Sequence, residues 1–148
     1  GGHGDTMVPL LRFTKISGKS LDQLINNGKI SKERLEEIVQ RTRDGGAEII
    51  KLLEKGSAFY APAASGVEMA ESYLKNLKKL LPCAAYLNGE YGVDKIYAGV
   101  PVIIGSKGVE KIEEFQLNDL EKREFENSIN AVKELWKVAC KIDGDLIK

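Results

Sequence analysis

The hydrophobic pattern divides this chain into elements before any other property is considered. From Ser31 onward, apolar or small residues fall at Leu35, Ile38, Val39, Thr42, Gly46, Ile49, Ile50 and Leu53. Steps of three and four lay them on one helical face. Ser31 suits the N-cap, and Glu33 in the first turn faces the positive end of the helix dipole. Gly45 and Gly46 interrupt the run at about 1 kcal/mol each relative to alanine, yet the apolar phase continues across them. The pattern therefore predicts one kinked or closely packed helix, ended by Gly56. A second helical face follows at Val67, Ala70, Leu74, Leu77 and Leu81. Proline is tolerated at the start of a helix and not in its interior. This second helix is accordingly expected to begin at or near Pro62, with Ser57 to Ala61 as a junction rich in small side chains.

The pattern then changes. PCAAYLNGEYGV, KIYAGVPVIIGSKG and VEKIEEFQL carry β-branched and aromatic runs separated by Asn88-Gly89, Gly99, Gly105 and Gly108. These predict three strands joined by tight turns, an antiparallel meander. Asn118 is placed to cap a final helix, with Glu121 three residues on as in a capping box. Its inward residues are expected to be Leu120, Phe125, Ile129, Val132, Trp136 and Ala139. Before the long helix, MVPLLRFTKISG has room for one short strand around Arg12 to Ile16, and KSLDQLINNGK for a loop or short helical turn. The order is strand, long helices, three strands, helix, an α+β class. At 148 residues one domain with a real core is expected.

Composition removes several functions. Basic and acidic residues number 22 each, for a formal charge of zero, whereas nucleic-acid binding needs a surplus of Lys and Arg. No apolar run approaches the roughly 18 residues of a membrane span. Cys83 and Cys140, with a single histidine, are too few for a zinc site or a disulfide framework. Their apolar surroundings read as buried free thiols in a reducing compartment.

Candidate chemistry narrows to His3, the only histidine. An imidazole ordinarily titrates at about pH 6.5, so it can take or give a proton near neutrality. It needs a partner that fixes its tautomer and orientation, commonly a carboxylate. Asp5 is two residues away. Taken alone, His3 reads more readily as a solvated surface group or a purification remnant than as a catalytic group, and Ala58 and Pro62 as helix-junction packing.

Longer stretches add to this. GGHGDTMVPL resembles the segment around the catalytic histidine of the lactate/malate dehydrogenase family. GAEIIKLLEKGSAFYAPAAS is similar to that family's kinked helix pair facing the nicotinamide. LPCAAYLNGEYGV and YAGVPVIIGSKGVEKI resemble its C-terminal meander, and NDLEKREFENSINAVKEL its last helix. The resemblance runs in order from Gly1 to about Leu135. Its GSAFYAPAAS form is closer to malate dehydrogenases of the lactate-dehydrogenase-like type than to lactate dehydrogenases.

The resemblance implies that residues 1–148 are the C-terminal catalytic domain of an NAD-dependent malate dehydrogenase. The fold it implies is long kinked helices on a small antiparallel sheet. His3 would be the acid–base group for malate and oxaloacetate, Ala58 would leave room beside a dicarboxylate, and Pro62 would pack on the nicotinamide ring. Asp5 and Thr6 would brace the loop through bonds to nearby backbone. The family's Gly-rich dinucleotide loop, its mobile arginine loop and its D-x-x-R segment have no counterpart here, and Arg12, Arg34, Arg41, Arg43 and Arg123 do not match those positions. The N-terminal Rossmann half of the same protein is thus the expected partner, within a cytoplasmic homo-oligomer, with no metal, nucleic acid or membrane involved. The chain alone is expected to be inactive. Two other readings stay open: a lactate or other 2-hydroxy-acid dehydrogenase, and a non-catalytic oligomerisation module.

Overall fold

A computed structural model describes residues 1–147. A 3-10 turn at Leu11–Phe13 leads into strands β1 (Lys15–Ile16) and β2 (Lys19–Ser20). The expected strand around Arg12 to Ile16 is thus only two residues long. Ser17 and Gly18, both at positive φ, turn it back on itself, as two-residue hairpins require. Ser20 then caps a short helix, α1 (Leu21–Asn26), through a capping box with Gln23.

Helix α2 (Lys32–Leu53) starts at Ser31, whose hydroxyl accepts from the Arg34 N–H. It runs through Gly45 and Gly46 as one element. Neither glycine has another part of the chain within 4 Å of where a Cβ would stand, so close packing within this chain is not their role. On the same helix Arg41 holds Glu48 through two bonds of 2.8 and 3.0 Å. None of α2 is buried. Ile38, Ile49, Ile50 and Leu53 of its apolar face are exposed.

Helix α3 (Tyr60–Leu74) begins two residues before Pro62. Proline at the third helical position is tolerated because first-turn N–H groups have no intrahelical acceptor. The helix stops at Leu74, so the expected continuation through Leu77 and Leu81 fails. Asn76 adopts φ +50°, the Leu77 N–H reaches back to the Ser72 carbonyl, and the Asn76 N–H to Tyr73. This is a Schellman stop with asparagine in the left-handed position. Leu81 lies instead in strand β3 (Lys79–Asn88).

Strands β3, β4 (Asp94–Gly105) and β5 (Gly108–Ile112) form the expected antiparallel meander in that order. Register pairs Ala85 with Ala98 and Leu87 with Ile96. One face of this sheet carries the buried Ala85, Leu87, Ala98, Val100, Val102 and Ile104, against Phe125 and Ile129 of helix α4 (Asp119–Ile142). Ser72 on α3 is fully buried and donates to the Ile104 carbonyl at 2.7 Å.

Helix α4 is capped as the sequence predicts: Asn118 accepts from the Glu121 N–H, and the Glu121 carboxylate accepts from the Asn118 N–H at 2.8 Å. Its inward face is narrower than expected. Phe125 and Ile129 are buried, Val132 and Ala139 half-buried, but Leu120 and Trp136 are exposed. At about 1.5 Å per residue the 24 residues make a long helix, whose last turns lie beside the 3-10 segment Gly144–Ile147 and not against the sheet core. In the first turn Glu121, not Leu120, points inward. Replacing Asn118 with alanine should cost about 1 kcal/mol, measured as a lower urea midpoint with unchanged slope. An unchanged midpoint would show that α4 does not depend on this cap.

Candidate active site

His3 stands on a loop of seven residues fastened to the domain at both ends. At its start the Gly1 nitrogen donates to the Gly99 carbonyl, and the Gly99 N–H donates back to the Gly1 carbonyl at 2.7 Å. Strand β5 pairs with β4 only from Val102 to Gly105, so the β4 edge at Gly99 is open for this exchange. A Cβ on Gly99 would lie 2.7 Å from the Gly1 carbonyl oxygen, and the close approach therefore requires glycine.

The next residue is held from α4. The Gly2 N–H donates to Ser128 Oγ at 2.6 Å, and the Ser128 hydroxyl donates to Thr6 Oγ1 at 3.3 Å. Ser128 has no solvent exposure. Gly4, at φ +98° with open space around it, turns the chain so that the Met7 N–H reaches the Gly4 carbonyl at 3.0 Å. At the far end Arg43 of α2 donates to the Met7 carbonyl at 3.1 Å and lies 3.8 Å from Glu124 of α4. Arg12 then closes on Glu121 through bonds of 2.6 and 3.0 Å. That contact holds the Glu121 carboxyl below its ordinary range, against the opposing effect of burial.

Between these fastenings the His3 side chain is exposed. It has no hydrogen-bond or ion-pair partner among the described residues, and Asp5 does not fold back onto it. Thr6 braces the loop, but through the Ser128 hydroxyl and not through nearby backbone. Arg12 and Arg43 are structural ties of this segment. Ser128, Arg43 and Gly99 were not identifiable as site residues from their local motifs. The available signals were a serine inside the apolar face Phe125, Ile129, Val132, and a glycine inside a strand.

Ala58 and Pro62 lie at the α2–α3 junction, Ala58 half-buried and Pro62 exposed on the first turn of α3. Exposed Phe59 and Tyr60 stand between them in the chain. No hydrogen bond or ion pair joins this junction to the His3 loop among the described residues. Cys83 and Cys140 are free but only half-buried, less enclosed than their apolar surroundings predict. Burial pushes the Cys83 thiol up. Among the described residues no helix is long and apolar enough to cross a membrane, and no group of three or more His, Cys, Asp or Glu is placed to hold a metal ion.

The chain matches known proteins. The lactate/malate dehydrogenase α/β C-terminal domain family covers residues 1–141. A malate dehydrogenase of Pelagibacter ubique is 74% identical over all 148 residues, which correspond to 46% of its own length. A malate dehydrogenase of Cereibacter sphaeroides is 56% identical over 99% of this chain and 46% of its own. Among solved structures, malate dehydrogenase of Cryptosporidium parvum superposes with a TM-score of 0.89 at 46% identity, covering 91% of this chain and 43% of that one. Lactate dehydrogenase of Eimeria maxima with NADH and oxamate gives 0.90 at 46% identity, covering 96% and 44%. The chain spans about half the length of the relatives it matches. It belongs to the lactate/malate dehydrogenase family and folds as that family's α/β C-terminal domain.

Proposed function

We propose that this chain is the proton-transferring half of an NAD-dependent malate dehydrogenase, with His3 as the acid–base group. The observation that carries the reading is the His3 loop itself: an exposed imidazole between glycines, on backbone fastened to β4, α4 and α2. A pinned backbone with a free ring suits a group that must meet a substrate at fixed geometry. Malate is favoured over lactate because both curated relatives named above are malate dehydrogenases, at 74% and 56% identity, while the malate and lactate dehydrogenase structures stand level at 46%.

In this reading a neutral His3 nitrogen takes the hydroxyl proton as the C–O bond of malate becomes a carbonyl. The same nitrogen returns the proton when oxaloacetate is reduced. NAD, when bound, supplies the hydride acceptor. The exposed apolar ring of Pro62 on the first turn of α3 suits packing against a flat nicotinamide, and the single methyl of half-buried Ala58 leaves space for a carboxylate-bearing side chain. The carboxylate that orients His3, the arginines that clamp the substrate and the dinucleotide-binding loop belong in this reading to an N-terminal Rossmann half. The exposed apolar residues of α2 and α3 support burial against that half and against further copies. The two free thiols support a reducing, cytoplasmic setting.

The test is malate-dependent NADH formation. The full-length enzyme should oxidise malate in preference to lactate. The purified 148-residue chain should show negligible turnover even at high concentration. Robust turnover by the chain alone would mean that the essential groups have been misassigned.

A further inference from the structure

Among the described residues one side chain of α4 hydrogen-bonds to the His3 loop, and its bonds go nowhere else. Ser128 is completely buried in a helix face shared with Glu121, Phe125, Ile129 and Val132. A buried hydroxyl there is costly unless it is bonded. Both of its bonds go to the loop, accepting from the Gly2 N–H at 2.6 Å and donating to Thr6 Oγ1 at 3.3 Å. These partners flank His3 on either side. A Cβ on Gly1 would fall within 2.5 Å of the Ser128 Cβ and closer still to its hydroxyl, so the loop is seated directly on this residue. An ordinary Ser or Thr in a helix interior bonds back to the carbonyl four residues earlier, as Thr42 does to Ile38. Ser128 does not.

We infer that Ser128 is a positioning residue: it fixes the backbone on both sides of His3 so that the imidazole meets the substrate hydroxyl at reacting distance. This rests on the proposed acid–base role of His3. Among the described residues Ser128 bonds to Gly2 and Thr6 and makes no hydrogen bond to the His3 ring, so its effect on rate must run through the loop that carries His3. Near-attack geometry is steep, with a 1 Å misplacement costing on the order of 100-fold in rate.

The experiment is a double-mutant cycle in the full-length enzyme with Ser128→Ala, His3→Asn and both together, followed by kcat, KM for malate and NADH affinity. Ser128→Ala should lower kcat by about 10-fold or more while NADH affinity moves less than about 2-fold. In the His3→Asn background the same change should remove less than about 2-fold further, because groups that act as a unit are not additive. Ser128→Cys is nearly isosteric with a weaker acceptor. It should fall between wild type and alanine, and it decides the question if Ser128→Ala does not fold. A Ser128→Ala or Ser128→Cys enzyme with wild-type kcat overturns the inference, as does a full additive loss in the His3→Asn background. If instead His3→Asn itself retains full rate, the acid–base reading has failed and Ser128 falls with it.

Discussion

Replacing His3 with asparagine in the full-length enzyme should lower kcat for malate oxidation by about 10²–10⁴-fold, the usual contribution of a positioned acid–base group. Asparagine keeps a polar side chain of similar reach but accepts no proton at neutral pH. The side chain is exposed and makes no bond to the described residues, so nothing in the domain is left unpaired by the change. Melting temperature should therefore stay within a few degrees of wild type, and NADH affinity should change little. A histidine that merely braced the loop would show the opposite pattern, with lost stability and cofactor affinity beside a modest loss of rate. Steady-state kinetics, NADH titration and thermal melting on the one variant separate the two patterns.

Gly99→Ala should be nearly as damaging to rate, although Gly99 lies far from His3 in sequence. The added Cβ would stand 2.7 Å from the Gly1 carbonyl oxygen, well inside van der Waals contact. That oxygen belongs to backbone and accepts from the Gly99 N–H, so it cannot swing aside as a side chain would. Relief requires the loop to lift from β4, breaking the reciprocal pair and shifting His3. The sheet core beneath, with Ala98 and Val100 on the other face, stays in place. Overpacking of this kind typically costs about 1–3 kcal/mol of stability, and a displacement of about 1 Å about 100-fold in kcat. Wild-type kcat in a folded Gly99→Ala enzyme would show that the Gly1–Gly99 contact does not set the position of His3.

The elements readable from sequence were those with a long period or a strong cap. The 3.6-residue repeat after Ser31 and the Asn118–Glu121 box place α2 and α4 closely, because local hydrogen bonds at their N-termini decide where each begins. The end of α3 was not readable from periodicity. Leu77 and Leu81 continue the apolar phase of Val67 and Leu74, but Asn76 in the left-handed region breaks the helix between them. Periodicity does not register a single stop residue. The outward-facing Leu120 and Trp136 were misplaced for a different reason, since an amphipathic stripe marks what is apolar and not how far the partner surface extends. At the site, the His3 loop was legible through its resemblance. Its supports were not: Ser128 and Gly99 lie more than ninety residues away, and only the folded chain brings them to Gly1 and Gly2.

The central claim is that His3 moves the proton, and the pH dependence of kcat/KM for malate tests it most directly. Malate oxidation needs the imidazole neutral, so kcat/KM of the wild-type full-length enzyme should fall on acidification along a limb that His3 supplies. The residual activity of His3→Asn, measured over the same range, should lack that limb. A limb of the same position and slope in both enzymes would contradict the account, because the proton would then be taken by a group other than His3.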